Sequence, residues 1–247
     1  MKKILHFILK ILAKMVIVKY KPQIVAITGS VGKTSAKEAV FSILSTRFKV
    51  RRNSKNFNNE IGTPLTILGS KSSPGKNIFQ WLGIFYKALR LLLHTNKKYP
   101  KILVLEMGAD KPGDISYLTS IARPHIAVIT TIGHSHLEKF GTVKNIVKEK
   151  SQILKPLDVD GWAILNNDDD NLKNLIENFS GNIKNFGRSE TSDVRLAEVK
   201  ITQKDGVYGT SFKLYHQGAE VPMFLPNVLG WQHAQAAAAA TAVALCL

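Results

Sequence analysis

Residues 29–35 read Gly-Ser-Val-Gly-Lys-Thr-Ser and directly follow a short β-branched run, Gln23–Thr28. A phosphate group is held by backbone N–H groups turned toward it and by a nearby cation. Glycines at 29 and 32 let the main chain approach, and a helix opening at Lys33 adds the partial positive charge of its N-terminus. Lys33 is then placed to reach the terminal phosphates of a nucleotide, and the Thr34 hydroxyl to ligate magnesium. The longer GxxxxGK[ST] pattern is not met, because Ile27 stands where its first glycine belongs. The strand–loop–helix context therefore carries the reading, against the alternative of a structural turn without a ligand. Glu106 follows the apolar run Ile102–Leu105. Its carboxylate is expected at the carboxyl edge of a sheet, where ligands bind in open α/β folds. It is a hard oxygen ligand suited to magnesium, or else a helix cap or loop ion pair.

These residues need a scaffold, and the pattern around them supplies one. Apolar strands are predicted over 23–28, 102–105, 126–130 and 162–165. Helices are predicted over about 33–46, 78–94 (long and mostly buried) and 143–154. Apolar strands separated by helices argue for a mostly parallel sheet with helices on both faces. After about Asn185 the texture changes. Runs at 194–202, 207–215 and 220–225, separated by Asp205-Gly206 and Gln217-Gly218, predict a small antiparallel meander. An alanine-rich helix begins at Trp231 and has no glycine, proline or polar cap before Leu247, so a further domain is expected to follow.

Length and composition set the limits. The chain has 247 residues, 45% hydrophobic and 21% charged, enough for a substantial core and ordinary for a globular protein. With one cysteine, Cys246, a disulfide framework and a cysteine-based zinc site are excluded. The balance of 34 Lys+Arg against 18 Asp+Glu gives a formal charge of +16. That surface favours anionic partners. No aromatic RNA-binding motif, Cys/His finger or arginine-rich arm is present, so nucleic acid is not the expected partner.

The first twenty residues, MKKILHFILKILAKMVIVKY, are apolar but broken by His6, Lys10 and Lys14. They are too short and too charged to span a bilayer and lack a cleavage site. Lys3, His6, Lys10 and Lys14 recur at helical spacing, leaving Leu5, Ile8, Leu9, Leu12 and Val16 on the other face. A basic amphipathic helix of this kind either lies on an acidic membrane surface or packs on its own domain or a partner.

Several ordered segments resemble the Mur ligase family, over roughly residues 22–247. They are the loop TGSVGKTS, the asparagine-rich stretch from Asn56 to Thr66, Leu105-Glu106-Met107-Gly108-Ala109, and His136-Leu137-Glu138-Lys139-Phe140-Gly141. Lys148-Glu149-Lys150 and Ala163 to Asp169 complete the set. The stretch Asn56 to Thr66 resembles the asparagine-rich loop of the branch that adds D-alanyl-D-alanine, and its Asn-Asn-Glu-Ile-Gly-x-Pro segment favours the muramyl-peptide ligases. The resemblance implies a central ATP-binding domain over 21–247, with residues 1–20 as an added helix. It implies an ATP-dependent amide ligase of peptidoglycan precursor synthesis in the cytoplasm. An acceptor carboxylate attacks the γ-phosphate of ATP, and an amine then displaces phosphate from the acyl phosphate. In that branch the acceptor is UDP-N-acetylmuramoyl-tripeptide and the amine is D-alanyl-D-alanine.

Carried over residue by residue, the resemblance implies an ATP site of Gly29, Ser30, Val31, Gly32, Lys33, Thr34 and Ser35. It implies a first magnesium at Thr34 and Glu106 and a second at His136, chosen over His134 because Leu-Glu-x-Phe-Gly follows it. Lys150 corresponds to a lysine that the family carbamylates; Lys144, Lys148 and Lys150 are alternatively a solvated basic face. Asn56, Asn58 and Asn59 either contact the UDP-sugar or order their loop. Catalysis is assigned to Lys33, His136 and Lys150. Where the family has Gly-x-His-Asn, with the Asn on adenine, this chain has Gly230-Trp231-Gln232-His233, so His233 takes that place. The family's UDP-binding and C-terminal domains have no counterpart in these residues. The chain is therefore expected to bind nucleotide and to ligate poorly alone. The competing functions are a folylpolyglutamate-synthase-type or cyanophycin-type ligase, or a non-catalytic nucleotide-binding or membrane-associated module.

Overall fold

The computed structural model describes residues 2–54, 57–70, 74–75 and 77–247. The first helix, α1 (Lys2–Tyr20), leads into β1 (Gln23–Thr28), the phosphate loop and α2 (Lys33–Leu44). Next come β2 (Val50–Arg52), α3 (Gly62–Leu68), α4 (Ile78–Leu93), β3 (Ile102–Glu106) and α5 (Asp114–Ile121). They are followed by β4 (Ile126–Ile129), α6 (Leu137–Phe140), α7 (Val143–Lys150), a 3-10 turn, β5 (Trp162–Asn166) and α8 (Asp170–Asn178). The last part is β6 (Asn182–Gly187), β7 (Val194–Lys204), β8 (Val207–His216), β9 (Ala219–Pro226) and α9 (Trp231–Ala244).

All described strands join one nine-stranded sheet in the order β2-β3-β1-β4-β5-β6-β7-β8-β9. Pairing is parallel from β2 to β7 and antiparallel from β7 to β9. The predicted meander is thus a continuation of the parallel sheet. The four predicted apolar strands appear within a residue of their expected ends. β2 and β6 were not predicted: β2 is three residues long with two arginines, and β6 (NIKNFG) is too polar to read as a buried strand.

Alternation along each strand sorts side chains to the two faces. Ile24 and Ala26 of β1, with Leu103 and Leu105 of β3, face a core shared with α1, α3, α4 and α5. Val25, Ile27, Ile102 and Val104 face the opposite core, under α2 and α9. Alanine nearly all round α9 lets that helix lie close to both α2 and the sheet.

Two expectations change. The helix predicted over 78–94 forms, with Asn77 capping it by accepting from the Gln80 N–H at 3.2 Å. It is not mostly buried: only Ile84, Ala88 and Leu91 are, whereas Phe79 is 85% exposed and Leu82, Tyr86, Leu89 and Leu93 also face solvent. Hydrophobicity on both sides of a helix does not require burial of both, and here only one side meets the core. Similarly, α1 inserts Leu9, Ala13 and Val16 into the core, while Ile8 lies on the exposed side with Ile4, Ile11, Met15 and Val18. No described helix is long and apolar enough to cross a membrane.

Candidate nucleotide site

The strand order reverses around β1, so the loops leaving β1, β3 and β4 converge at one edge. Gly29 is required there by close approach: a Cβ would lie 2.0 Å from Thr130 Oγ1, and φ is +148°. The Thr130 hydroxyl donates to the Val31 carbonyl at 2.6 Å, and Ser30 N–H donates to the Thr131 carbonyl at 2.6 Å. Gly32, at φ +85°, turns the chain into α2. The result is a loop clamped by the β4 end, with the start of a 12-residue helix behind it.

Lys33 opens α2, and its ammonium donates to its own loop at the Ser30 carbonyl, 3.1 Å away. Thr34, on the exposed side of the first turn, donates from Oγ1 to Glu106 Oε2 at 3.0 Å. Ser35 follows in the same turn. Glu106 is 6% exposed at the end of β3 and also accepts from Asn58 Nδ2 at 3.1 Å. Lys37, one turn beyond Lys33 and 1% exposed, places its ammonium 3.5 Å from Glu106 Oε2. Sequence reading did not single out Lys37. Its signal was the i, i+4 spacing from Lys33 in a helix whose first turn has no acid. Asn53, also missed, pins the same strand end: it donates to the Glu106 carbonyl at 3.0 Å and accepts from the Glu106 N–H at 2.9 Å.

The lysine-rich helix α7 divides between solvent and site. Lys144 and Lys148 are exposed, which fits the basic-face alternative for those two. Lys150 is 3% exposed and donates to the Gly29 carbonyl at 2.8 Å. Burial, and then the nearby Lys33 charge, lower its pKa to about 8. Burial also lowers the pKa of Lys33, with Glu106 opposing. Glu149, the neighbour of Lys150, is buried and accepts from the N–H groups of Gly113 at 2.8 Å and Ile115 at 2.9 Å. It thereby caps α5 from another helix.

A cavity of about 750 Å³ opens over this edge, lined by Lys33, Asn58, Asn59, Asp110, His136 and Lys150, with His6, Phe7 and Lys10 of α1 on its rim. His136 sits at φ +60° before α6, its Nδ1 3.7 Å from Asp110 Oδ1. His134 does not line the cavity. Asn59 Oδ1 accepts from the Gly62 N–H at 2.9 Å, so this asparagine orders the start of α3. Asn56 lies outside the described residues. His233 is not brought to this cavity. On α9 it points away from the side carrying Trp231 and Gln235, which line a second cavity of about 380 Å³ with Asn166, Asp168 and Arg188. Arg188 stacks its guanidinium 4.9 Å from the Trp231 ring centre.

A mostly parallel sheet, a glycine loop feeding a helix, and lysines with a buried carboxylate at one edge define a P-loop nucleotide-binding domain. The Mur ligase middle domain description matches residues 86–244, and the chain belongs to the Mur ligase family. It is 31% identical over 231 residues to the UDP-N-acetylmuramoyl-tripeptide--D-alanyl-D-alanine ligase of Bacillus subtilis, covering 94% of this chain and 43% of that protein. The fold matches MurF from Acinetobacter baumannii with a TM-score of 0.78 and 28% identity, over 98% of this chain and 46% of that one. MurF ligase from Thermotoga maritima, solved in complex with ADP, matches with a TM-score of 0.77 and 28% identity, over 96% and 48% of the two chains. The chain thus spans less than half the length of these relatives.

Proposed function

We propose that residues 21–247 form the central ATP-binding domain of an ATP-dependent acid–amino-acid ligase of peptidoglycan precursor synthesis, with residues 1–20 as a helix packed on it. The reaction is addition of D-alanyl-D-alanine to UDP-N-acetylmuramoyl-tripeptide. The observation that carries this reading is the meeting of Thr34, Lys37 and Asn58 on the Glu106 carboxylate, beside the Lys33 loop. Phosphoryl transfer between two anions is chiefly a problem of charge and alignment. Lys33 would leave the Ser30 carbonyl for the terminal phosphates, while the N–H groups of residues 29–35 hold the phosphate chain. The acceptor carboxylate then attacks the γ-phosphate, giving an acyl phosphate and ADP, and the amine displaces phosphate.

The donors fit magnesium. Thr34 and Glu106 bring two hard oxygens together, and among the described residues no group of three His, Cys, Asp or Glu gathers. Magnesium is commonly held by one or two protein oxygens plus substrate phosphates. Bound there, it would neutralise charge on the transferring phosphoryl group. His136 would serve a second ion. Lys150, with its pKa lowered to about 8, has a larger fraction of neutral amine than an exposed lysine. Neutral amine is the form that adds carbon dioxide to become a carbamate. Asn58 and Asn59 would meet the acceptor from the cavity wall. The adenine would go to the second cavity, between Trp231 and the amides of Asn166 and Gln235, in place of His233.

A phosphate-release assay tests the whole reading, with UDP-N-acetylmuramoyl-tripeptide, folate-type and cyanophycin-type acceptors offered in parallel. This chain alone is expected to bind ATP and turn over poorly, and any longer gene product carrying it to release phosphate with the muramyl acceptor and D-alanyl-D-alanine. Failure of both proteins to bind ATP overturns it. Cytoplasmic location and peripheral membrane contact through residues 1–20 belong to the same proposal; liposome flotation with and without that helix tests the contact.

A further inference from the structure

The exposed side of α1 is apolar, and so is the exposed side of α4. At 100° per residue, Leu9, Ala13 and Val16 of α1 point to the core, while Ile4, Ile11, Met15 and Val18 fall on the opposite side. On α4, Ile84, Ala88 and Leu91 point inward, and Phe79, Leu82, Tyr86, Leu89 and Leu93 fall opposite them. The two helices pack on the same sheet face. Their C-terminal ends are tied together: Lys19 Nζ donates to the Leu91 and Leu92 carbonyls at 3.0 and 2.8 Å, and the Tyr20 hydroxyl donates to the Leu91 carbonyl at 2.9 Å. Two outward apolar stripes therefore lie side by side. An apolar surface of this extent marks a docking face.

Charge says what covers it. Residues 1–21 contain six lysines and residues 61–105 contain seven Lys+Arg, and neither segment has a single Asp or Glu. Lys14 on α1, with Lys87 and Arg90 on α4, borders the stripes. Two copies of such a face would repel each other. Nucleic acid would not call for exposed Phe, Leu and Ile. Apolar side chains flanked by cations, with no acid, match the headgroup boundary of an anionic bilayer. We propose that α1 and α4 together form a two-helix face that seats the protein on an anionic membrane surface. This rests on the contact assigned above to residues 1–20 and adds α4 as its second half. Phe7 belongs both to the exposed side of α1 and to the rim of the large cavity, so seating this face places the cavity mouth at the bilayer surface.

The test is flotation with vesicles of phosphatidylglycerol and phosphatidylcholine, and with phosphatidylcholine alone. One variant carries Phe79→Gln, Leu82→Gln and Leu89→Gln; the other carries Ile4→Gln, Ile11→Gln and Val18→Gln. All six positions are exposed and outside the cavity, so folding and ATP binding serve as controls. The unaltered protein is expected to float with the anionic vesicles, about tenfold less with the neutral ones, and each variant to lose about tenfold. An α4 variant that floats like the unaltered protein overturns the proposal, even if the α1 variant fails and the simpler contact survives. Absence of flotation by the unaltered protein also overturns it. So does a dimer in solution that both variants dissociate, because a second copy then covers the face.

Discussion

The ammonium of Lys150 on α7 donates to the carbonyl of Gly29 across 2.8 Å, joining residues 121 positions apart. That bond ties the phosphate loop to the helix whose preceding residue, Glu149, caps α5. The phosphate loop, the C-terminal end of α7 and the start of α5 are thereby coupled, and the residues that join them can be probed separately.

Lys33→Ala removes the phosphate loop's own cation while leaving the glycines in place. ATP affinity is expected to fall by about 10- to 100-fold, the range for a charged hydrogen bond to phosphate. Titration calorimetry reads it directly, and an unchanged affinity removes the phosphate-loop reading.

Lys37 and Glu106 are both buried and 3.5 Å apart. Lys37→Met leaves a carboxylate with less compensation and should cost about 3 kcal/mol of unfolding free energy. Adding Glu106→Gln should restore part of that loss. Denaturant melts of the two singles and the double measure the coupling; strict additivity contradicts a direct interaction.

The buried Lys150 ammonium is expected to give stability a pH dependence. Burial lowers its folded pKa to about 8 from the ordinary lysine value of 10.5. Between those values the unfolded chain binds more protons, so this residue's contribution rises as pH increases through the window and is lost below about 8. Thermal melts without nucleotide or metal at pH 7.5 and 9.5 should therefore show a smaller upward shift, or a larger downward one, for Lys150→Met than for the unaltered protein.

Glu149→Ala removes both carboxylate oxygens that receive the Gly113 and Ile115 N–H groups. A loss of about 2 kcal/mol is expected, as for a helix cap whose donors are left buried. Hydrogen exchange should rise first at the start of α5; protection unchanged there would mean that the cap contributes little.

Local pattern carried much of this protein. Gln23–Thr28, Ile102–Leu105 and Ile126–Thr130 are short apolar runs rich in β-branched residues, which favours a buried strand over a helix, and Gly29 to Ser35 is legible because glycine spacing and a helix start are local properties. Glu106 was legible because it ends such a run. What the chain alone did not decide is which lysines are buried and which sides of helices are covered. Lys37, Lys144, Lys148 and Lys150 look alike along the sequence, and only packing against Glu106 and Gly29 separates the buried pair from the solvated one. Ile78 to Leu93 is apolar on both sides, and whether a second side meets protein or solvent depends on how many neighbours surround the helix. Short polar strands such as Asn182–Gly187 are likewise stabilised by the strand beside them. Spacing along the chain sets what a segment can bury; the assembled sheet sets what it does bury.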